Sequence, residues 1–204
     1  MILVALILVV AYCVYVLPNP ILKWLLHGKV VYKTDSDILF TFDDSPSPST
    51  NAILDCLHRY GIKAVFFILT DNIEGNEHIM DRIVNEGHII GNHGTNDRIH
   101  FFMSNTAFEI ELIESDLKLR PWMHGTQKWF RPGFGFFNES MIAVLKTHHY
   151  TVMLGDVFPY DAFVTSPLIN AWFIQMKADF GSILVLHDRQ WTPPLLHRLL
   201  EAKK

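Results

Sequence analysis

Cysteine is nearly absent, with two in 204 residues. That excludes a disulfide-built fold, and Cys13 lies inside an apolar run where pairing with Cys56 has no basis. Charge is also sparse: Asp, Glu, Lys and Arg make up 19% of the chain and the formal net charge is −4. Without a global basic field, nothing points to nucleic acid as a partner. No internal repeat and no low-complexity tract interrupts the chain. What is abundant is apolar: 50% hydrophobic and 13% aromatic residues, too much for a disordered segment. The length suits one domain with an appendage.

The appendage is N-terminal. Met1 to Leu17 run apolar without a break, and the first charged side chain is Lys23. Such a run stands at the lower edge of a bilayer span of about 18–20 residues and exceeds a secretory signal core of roughly 7–15. Residues 1–17 are therefore expected to be a hydrophobic helix acting as signal-anchor or signal peptide, and the protein to be membrane-anchored or secreted. Lys23, Lys29 and Lys33 follow the run, and positive residues prefer the cytoplasmic side, so orientation stays open. Residues 18–36 read as a Pro/Lys-containing linker, and residues 37–204 as the folded domain.

Within that domain short apolar runs alternate with helical periodicity. Strands are expected at 38–42, 64–68, 88–90, near 129–130, at 150–154 and at 182–186. Helices are expected at 51–60, 77–85, 105–119, 138–147, 166–178 and 194–201, the first closed by Gly61 and the second by Gly87. Strands apolar on both faces, each followed by a helix, predict an α/β fold with parallel strands under helices. A barrel-like (β/α) architecture is the first expectation and an open doubly wound sheet the second.

The polar residues that break this pattern fall where strands end, which is where (β/α) barrels place their chemistry. Asp43-Asp44, His93, Arg131, Asp156 and His187-Asp188 each follow a strand. Adjacent carboxylates can divide two tasks, one holding a metal and one taking a proton. His93 and Asp97 have the spacing of one face of a helical turn, and with Asp44 they would make three oxygen and nitrogen ligands with open positions left over. Arg131 can hold a carboxylate in its planar fork. His187 is a candidate general acid, with Asp156, Asp161 or Asp188 as its orienting carboxylate. These are the parts for metal-assisted hydrolysis of an amide or ester.

Thr41-Phe42-Asp43-Asp44-Ser45-Pro46, Gly91-Asn92-His93, Phe130-Arg131-Pro132-Gly133 and Ile183-Leu184-Val185-Leu186-His187-Asp188 together resemble the motifs of the NodB-homology polysaccharide deacetylases, in order from about residue 36 to 190. The resemblance implies a distorted (β/α) barrel that removes acetyl groups from an acetylated glycan, an N-acetylglucosamine polymer of the chitin type. It implies a divalent metal ion, zinc first, with cobalt, manganese or iron as alternatives. It also implies Asp43 as base, Asp44 and His93 as metal ligands, Arg131 as the orienting arginine and His187 as acid. Asp161 or Asp156 would be the partner of that acid. Pro132, Phe134, Phe158, Tyr160 and Leu186 are implied as substrate-lining positions, and Trp191 follows His187 closely enough to join them.

The chain departs from the family pattern at three places. Ser45 stands where glycine is usual. Asp97 stands where a second metal histidine is usual, with His100 as a rival ligand. One helix follows His187 where the family commonly adds a strand and a helix, so the barrel is expected to be incomplete on that side. Two other readings are carried forward: a glycan-binding domain without turnover, and a hydrolase of small amides. Nothing points to a protein partner.

Overall fold

The computed structural model describes residues 30–201. Seven strands form one sheet: β1 (Val30–Val31), β2 (Leu39–Ser45), β3 (Ala64–Ile68), β4 (Ile89–Asn92), β5 (Lys128–Phe130), β6 (Tyr150–Met153) and β7 (Ile183–His187). Their order is β1-β6-β5-β4-β3-β2-β7, and every neighbouring pair is parallel. Six α-helices lie between or after them: α1 (Thr50–Tyr60), α2 (Glu77–Asn85), α3 (Asn105–Leu119), α4 (Glu139–Thr147), α5 (Pro167–Lys177) and α6 (Thr192–Glu201).

The sheet curls until its two edges meet. An isolated bridge joins Lys33 to Ser182, and Thr34 N–H donates to the Gly181 carbonyl at 2.8 Å. This is the distorted barrel, not the open sheet. The seam uses residues 30–34, which the sequence reading had placed in a linker. The short C-terminal side does not leave the described barrel gaping: β7 pairs β2 along its length, and α6 packs on α1 and α5. Residues 1–17 lie outside the described residues, and among residues 30–201 no helix is long and apolar enough to cross a membrane.

Strand periodicity explains the layering. On β3, Ala64, Phe66 and Ile68 join the core beneath the helices, while Val65 and Phe67 join Met153 and Ile183 in a smaller core inside the barrel. Alternate residues thus bury opposite faces, as parallel strands covered on both sides require. A third cluster, with Phe108, Leu112, Phe130, Met141 and Val152, seats α3 and α4. Helix starts follow capping chemistry: the Ser104 hydroxyl accepts from Ala107 N–H at 3.2 Å, and Asn138 Oδ1 accepts from Met141 N–H at 2.9 Å. That cap gives Asn138 a structural task within its Asn-Glu-Ser sequence.

Candidate active site

The strand ends gather the charged residues. β2 carries Asp43 and Asp44; between Phe42 and Ser45 its register against β3 shifts, and Asp44 takes a left-handed φ of 65°. The bulge bends the end of the strand, a device common beside active sites. It leaves both carboxylates buried, Asp43 at 4% and Asp44 at 7% exposure.

Asp43 is paired with Arg131. Arg131 Nη1 donates to Asp43 Oδ1 at 2.7 Å and to the Thr41 hydroxyl at 2.7 Å. Its Nε donates to the Met153 carbonyl at 3.0 Å, its Nη2 to the Leu154 carbonyl at 2.6 Å, and the guanidinium stacks 4.0 Å over the Phe67 ring. A planar fork with several N–H groups is well matched to these four fixed acceptors. Thr41 is held in turn by donating to the Leu184 carbonyl at 2.7 Å. Burial opposes the charge on Asp43, but Arg131, then His93 and His187, outweigh it and hold its carboxyl below the usual range.

His187 stands beside Asp43, paired with it across β2 and β7. Of the three carboxylates that could orient it, Asp161 does so. Asp161 is fully buried; its Oδ1 lies 2.8 Å from His187 Nδ1, and its Oδ2 accepts the His187 backbone N–H at 2.7 Å. Trp191 Nε1–H donates to the Asp161 carbonyl at 2.8 Å. Burial pulls the imidazole pKa down, yet Asp161, helped by Asp43 and Asp44, raises it above the ordinary value.

Asp156 is not brought to this cluster. Gly155, at φ 128°, turns the chain back across the start of β7, where an added Cβ would meet the Ile183 carbonyl at 2.8 Å. Asp156 Oδ1 accepts from Ile183 N–H at 2.9 Å, and its Oδ2 lies 3.4 Å from Lys33 Nζ, so it ties the barrel seam. Asp188 is a latch as well: it accepts from the Ser45 hydroxyl at 2.9 Å, the Ser47 hydroxyl at 2.7 Å and the Thr50 hydroxyl. Ser45, the departure from glycine, thereby gains a use.

On the other side of Asp43 stand Asp44 and His93. His93 Nδ1 lies 2.7 Å from the Arg131 carbonyl, which commits that nitrogen as donor and turns Nε2 to within 3.6 Å of Asp44 Oδ1. A metal-binding histidine is commonly oriented in this way by a backbone carbonyl. Asn92, fully buried, shapes the turn: its Oδ1 accepts Gly94 N–H at 2.7 Å, and its Nδ2 donates to the Ser115 hydroxyl at 2.8 Å. Asp97 does not join them. Residues 93–99 are irregular, with a bend at 95–97 and Gly94 at φ 93°, so the helical-face spacing fails and Asp97 is exposed. His100 is no substitute, being buried against Phe108 and Phe130, with Nδ1 accepting Gly133 N–H at 3.2 Å and Nε2 lying 3.4 Å from Glu111. Asp44 and His93 thus fit a divalent ion as two ligands, and among the described residues no third His, Cys, Asp or Glu completes a metal-binding group.

The substrate-lining positions divide. Phe134 (59% exposed) and Phe158 (39%) are open to solvent, and Tyr160 and Trp191 are half-buried. Pro132 is buried, and Leu186 is fully buried in the helix-side core with Phe42 and Leu195, so neither presents a face with the others.

Residues 31–153 match the Polysaccharide deacetylase family. The chain belongs to that family. Among its relatives, a peptidoglycan-N-acetylglucosamine deacetylase of Bacillus cereus is 29% identical over 178 residues, covering 82% of each chain. Chitin deacetylase 2 of Saccharomyces cerevisiae is 34% identical over 140 residues, covering 67% of this chain but only 42% of the yeast protein. The barrel superimposes on the Bc1960 peptidoglycan N-acetylglucosamine deacetylase with a TM-score of 0.81 at 24% identity, covering 89% of this chain and 90% of that one. It also superimposes on BA3943, a CE4 family pseudoenzyme from Bacillus anthracis, with a TM-score of 0.78 at 18% identity, covering 85% and 64%. Membership of the polysaccharide deacetylase family accounts for the barrel.

Proposed function

We propose that this polysaccharide deacetylase hydrolyses the N-acetyl group of N-acetylglucosamine in a glycan polymer or oligomer with the help of a divalent metal ion. One observation carries the reading. Neighbouring strand ends present a carboxylate kept ionised by Arg131 and an imidazole whose charged form is favoured by Asp161. One group lacks a proton and its neighbour holds one, which is the division of labour that amide hydrolysis requires.

Asp44 and His93 would hold the ion, zinc first and cobalt, manganese or iron in its place. Bound there, it would polarise the acetyl carbonyl and make the attacking water more acidic. The protein's own side chains do the rest. Asp43 takes a proton from the water as its oxygen bonds to the acetyl carbon. Arg131 keeps Asp43 ionised and fixed until that moment. His187, with Nδ1 committed to Asp161, passes a proton from Nε2 to the amide nitrogen as the C–N bond breaks. Acetate and a free amine leave. Phe134, Phe158, Tyr160 and Trp191 offer aromatic faces to the sugar, and the apolar run of residues 1–17 supports placement at a membrane.

The test is acetate release by the full chain from chito-oligomers, chitin and peptidoglycan, with metal supplied and after chelation. Release that needs metal, and that Asp43→Asn and His187→Ala all but abolish in protein that still melts cooperatively, is the expected result. No release from any of these with zinc, cobalt, manganese or iron defeats the reading. A glycan-binding protein without turnover is favoured by one feature, the lack of a third ligand among the described residues. Retained oligosaccharide binding with no metal by elemental analysis would select it.

A further inference from the structure

Arg189 has no part in the reaction above, yet it touches one of the proposed metal ligands. Its Nη2 donates to Asp44 Oδ2 at 2.6 Å, and its Nη1 donates to the Asp188 carbonyl at 3.1 Å. Oδ2 of Asp44 is therefore committed to the guanidinium, while Oδ1 faces His93 Nε2 at 3.6 Å without a hydrogen bond. The Asp44 side chain is 9% exposed and that of Arg189 34%. A charge-assisted hydrogen bond of this length is roughly twice as strong as a neutral one. Among the described residues no third ligand joins Asp44 and His93; what reaches Asp44 instead is the positive charge of Arg189, and Asp97 is exposed elsewhere.

We infer that Arg189 is an internal competitor for the cation: its guanidinium neutralises Asp44, and a divalent ion seats on Asp44 and His93 only when that arm swings toward solvent. The inference rests on the reading of Asp44 and His93 as the cation site. The two partners differ in freedom. Asp44 is buried at a bulge with φ 65°, whereas Arg189 is a long, partly exposed side chain beyond the end of β7, so the arginine is the one that moves. Any ion must then offset the lost ion pair before it gains its own contacts. The Asp44–His93 pair should accordingly bind metal more weakly than two such donors would without Arg189.

Isothermal titration of the full chain with zinc and with cobalt tests this, comparing wild type with Arg189→Gln, Arg189→Lys and Asp44→Asn, each checked by thermal melting. Arg189→Gln is expected to tighten the dissociation constant about tenfold, the change that corresponds to one charge-assisted bond. Arg189→Lys, which keeps the charge, should stay near wild type. Adding Asp44→Asn to Arg189→Gln should erase the gain. No tightening in Arg189→Gln overturns the competitor role, whether or not wild type binds metal. Equal tightening in the Lys and Gln variants overturns it too, because charge would not be what opposes the ion. If Asp44→Asn and His93→Ala leave binding untouched, the ion sits elsewhere, and the cation-site reading falls together with the inference.

Discussion

The two halves of the site are built differently. Around Asp43 and His187 every charge has a buried partner: Arg131 binds the first and Asp161 the second, and both partners are themselves almost wholly buried. Around Asp44 and His93 the partner is Arg189, one-third exposed, and no third ligand closes the group among the described residues. The first half is organised before any substrate arrives; the second is left adjustable. A protein can afford mobility where an ion is exchanged, but a misplaced proton donor costs rate in every turnover.

Substitutions sharpen that contrast, and the largest effects belong to the rigid half. Asp43→Asn should lower the turnover number for acetate release by about a thousandfold, the scale of a lost general base, with the fold intact. Arg131→Met should lower stability by about 3–5 kcal/mol in denaturant titration, because it leaves a buried carboxylate uncompensated. Adding Asp43→Asn to it should restore most of that loss. If the single variant melts like wild type, the buried pair does not hold this half together.

Asp161→Asn probes the acid. The raised pKa of His187 means that its proton is present below that value and lost as pH rises through it. Removing the carboxylate should move the alkaline fall of the pH–rate profile toward lower pH and cut the rate by about 10- to 100-fold. An unmoved alkaline limb would remove His187 from the acid's role. Glu111→Gln acts on the frame beneath the His93 turn. Burial raises the Glu111 pKa, but the His100 ring and the Thr95 N–H and hydroxyl outweigh it and pull it to about 2. Because the folded value is depressed, the stabilisation is present above the ordinary value near 4.5 and lost as pH falls toward 2. The variant should cost about 1–3 kcal/mol at pH 7 and progressively less in acid, read by chemical denaturation at both ends. Last, Asp97→Ala should change metal affinity and stability by less than about 0.5 kcal/mol, as for an exposed residue away from the site. A clear loss of metal would restore it as a ligand.

The barrel was legible because its signals are local and repeated. Val65 and Phe67 alternate with Phe66 and Ile68, which only a strand buried on both faces would tolerate, and Gly61 marks a helix end at φ 65°. β1 was not legible: two valines within a Pro/Lys stretch carry no periodicity, and their strand exists only because β6 receives them. The residues that come together at the site could be named from the motifs, since strand ends deliver them. Their partners were harder to name. Asp161 rather than Asp156 orients His187 because Gly155 redirects the chain, a tertiary event that spacing does not report. Asp97 was misplaced for a related reason, as the turn after His93 is irregular and not helical. Arg189 left no trace in any pattern; a single arginine after a strand is ordinary until coordinates show what it grips.

Asp43 and Asp44 share one peptide unit, and the kink in β2 points them at different companions. In the proposed reaction the two tasks are thus mechanically coupled: a shift that seats a cation more deeply would also turn the neighbouring Asp43 carbonyl, which accepts the Asp188 N–H at 2.9 Å. A drift that loosens one function will tug on the other, so the ion's grip and the base's aim are expected to change together across variants of this loop.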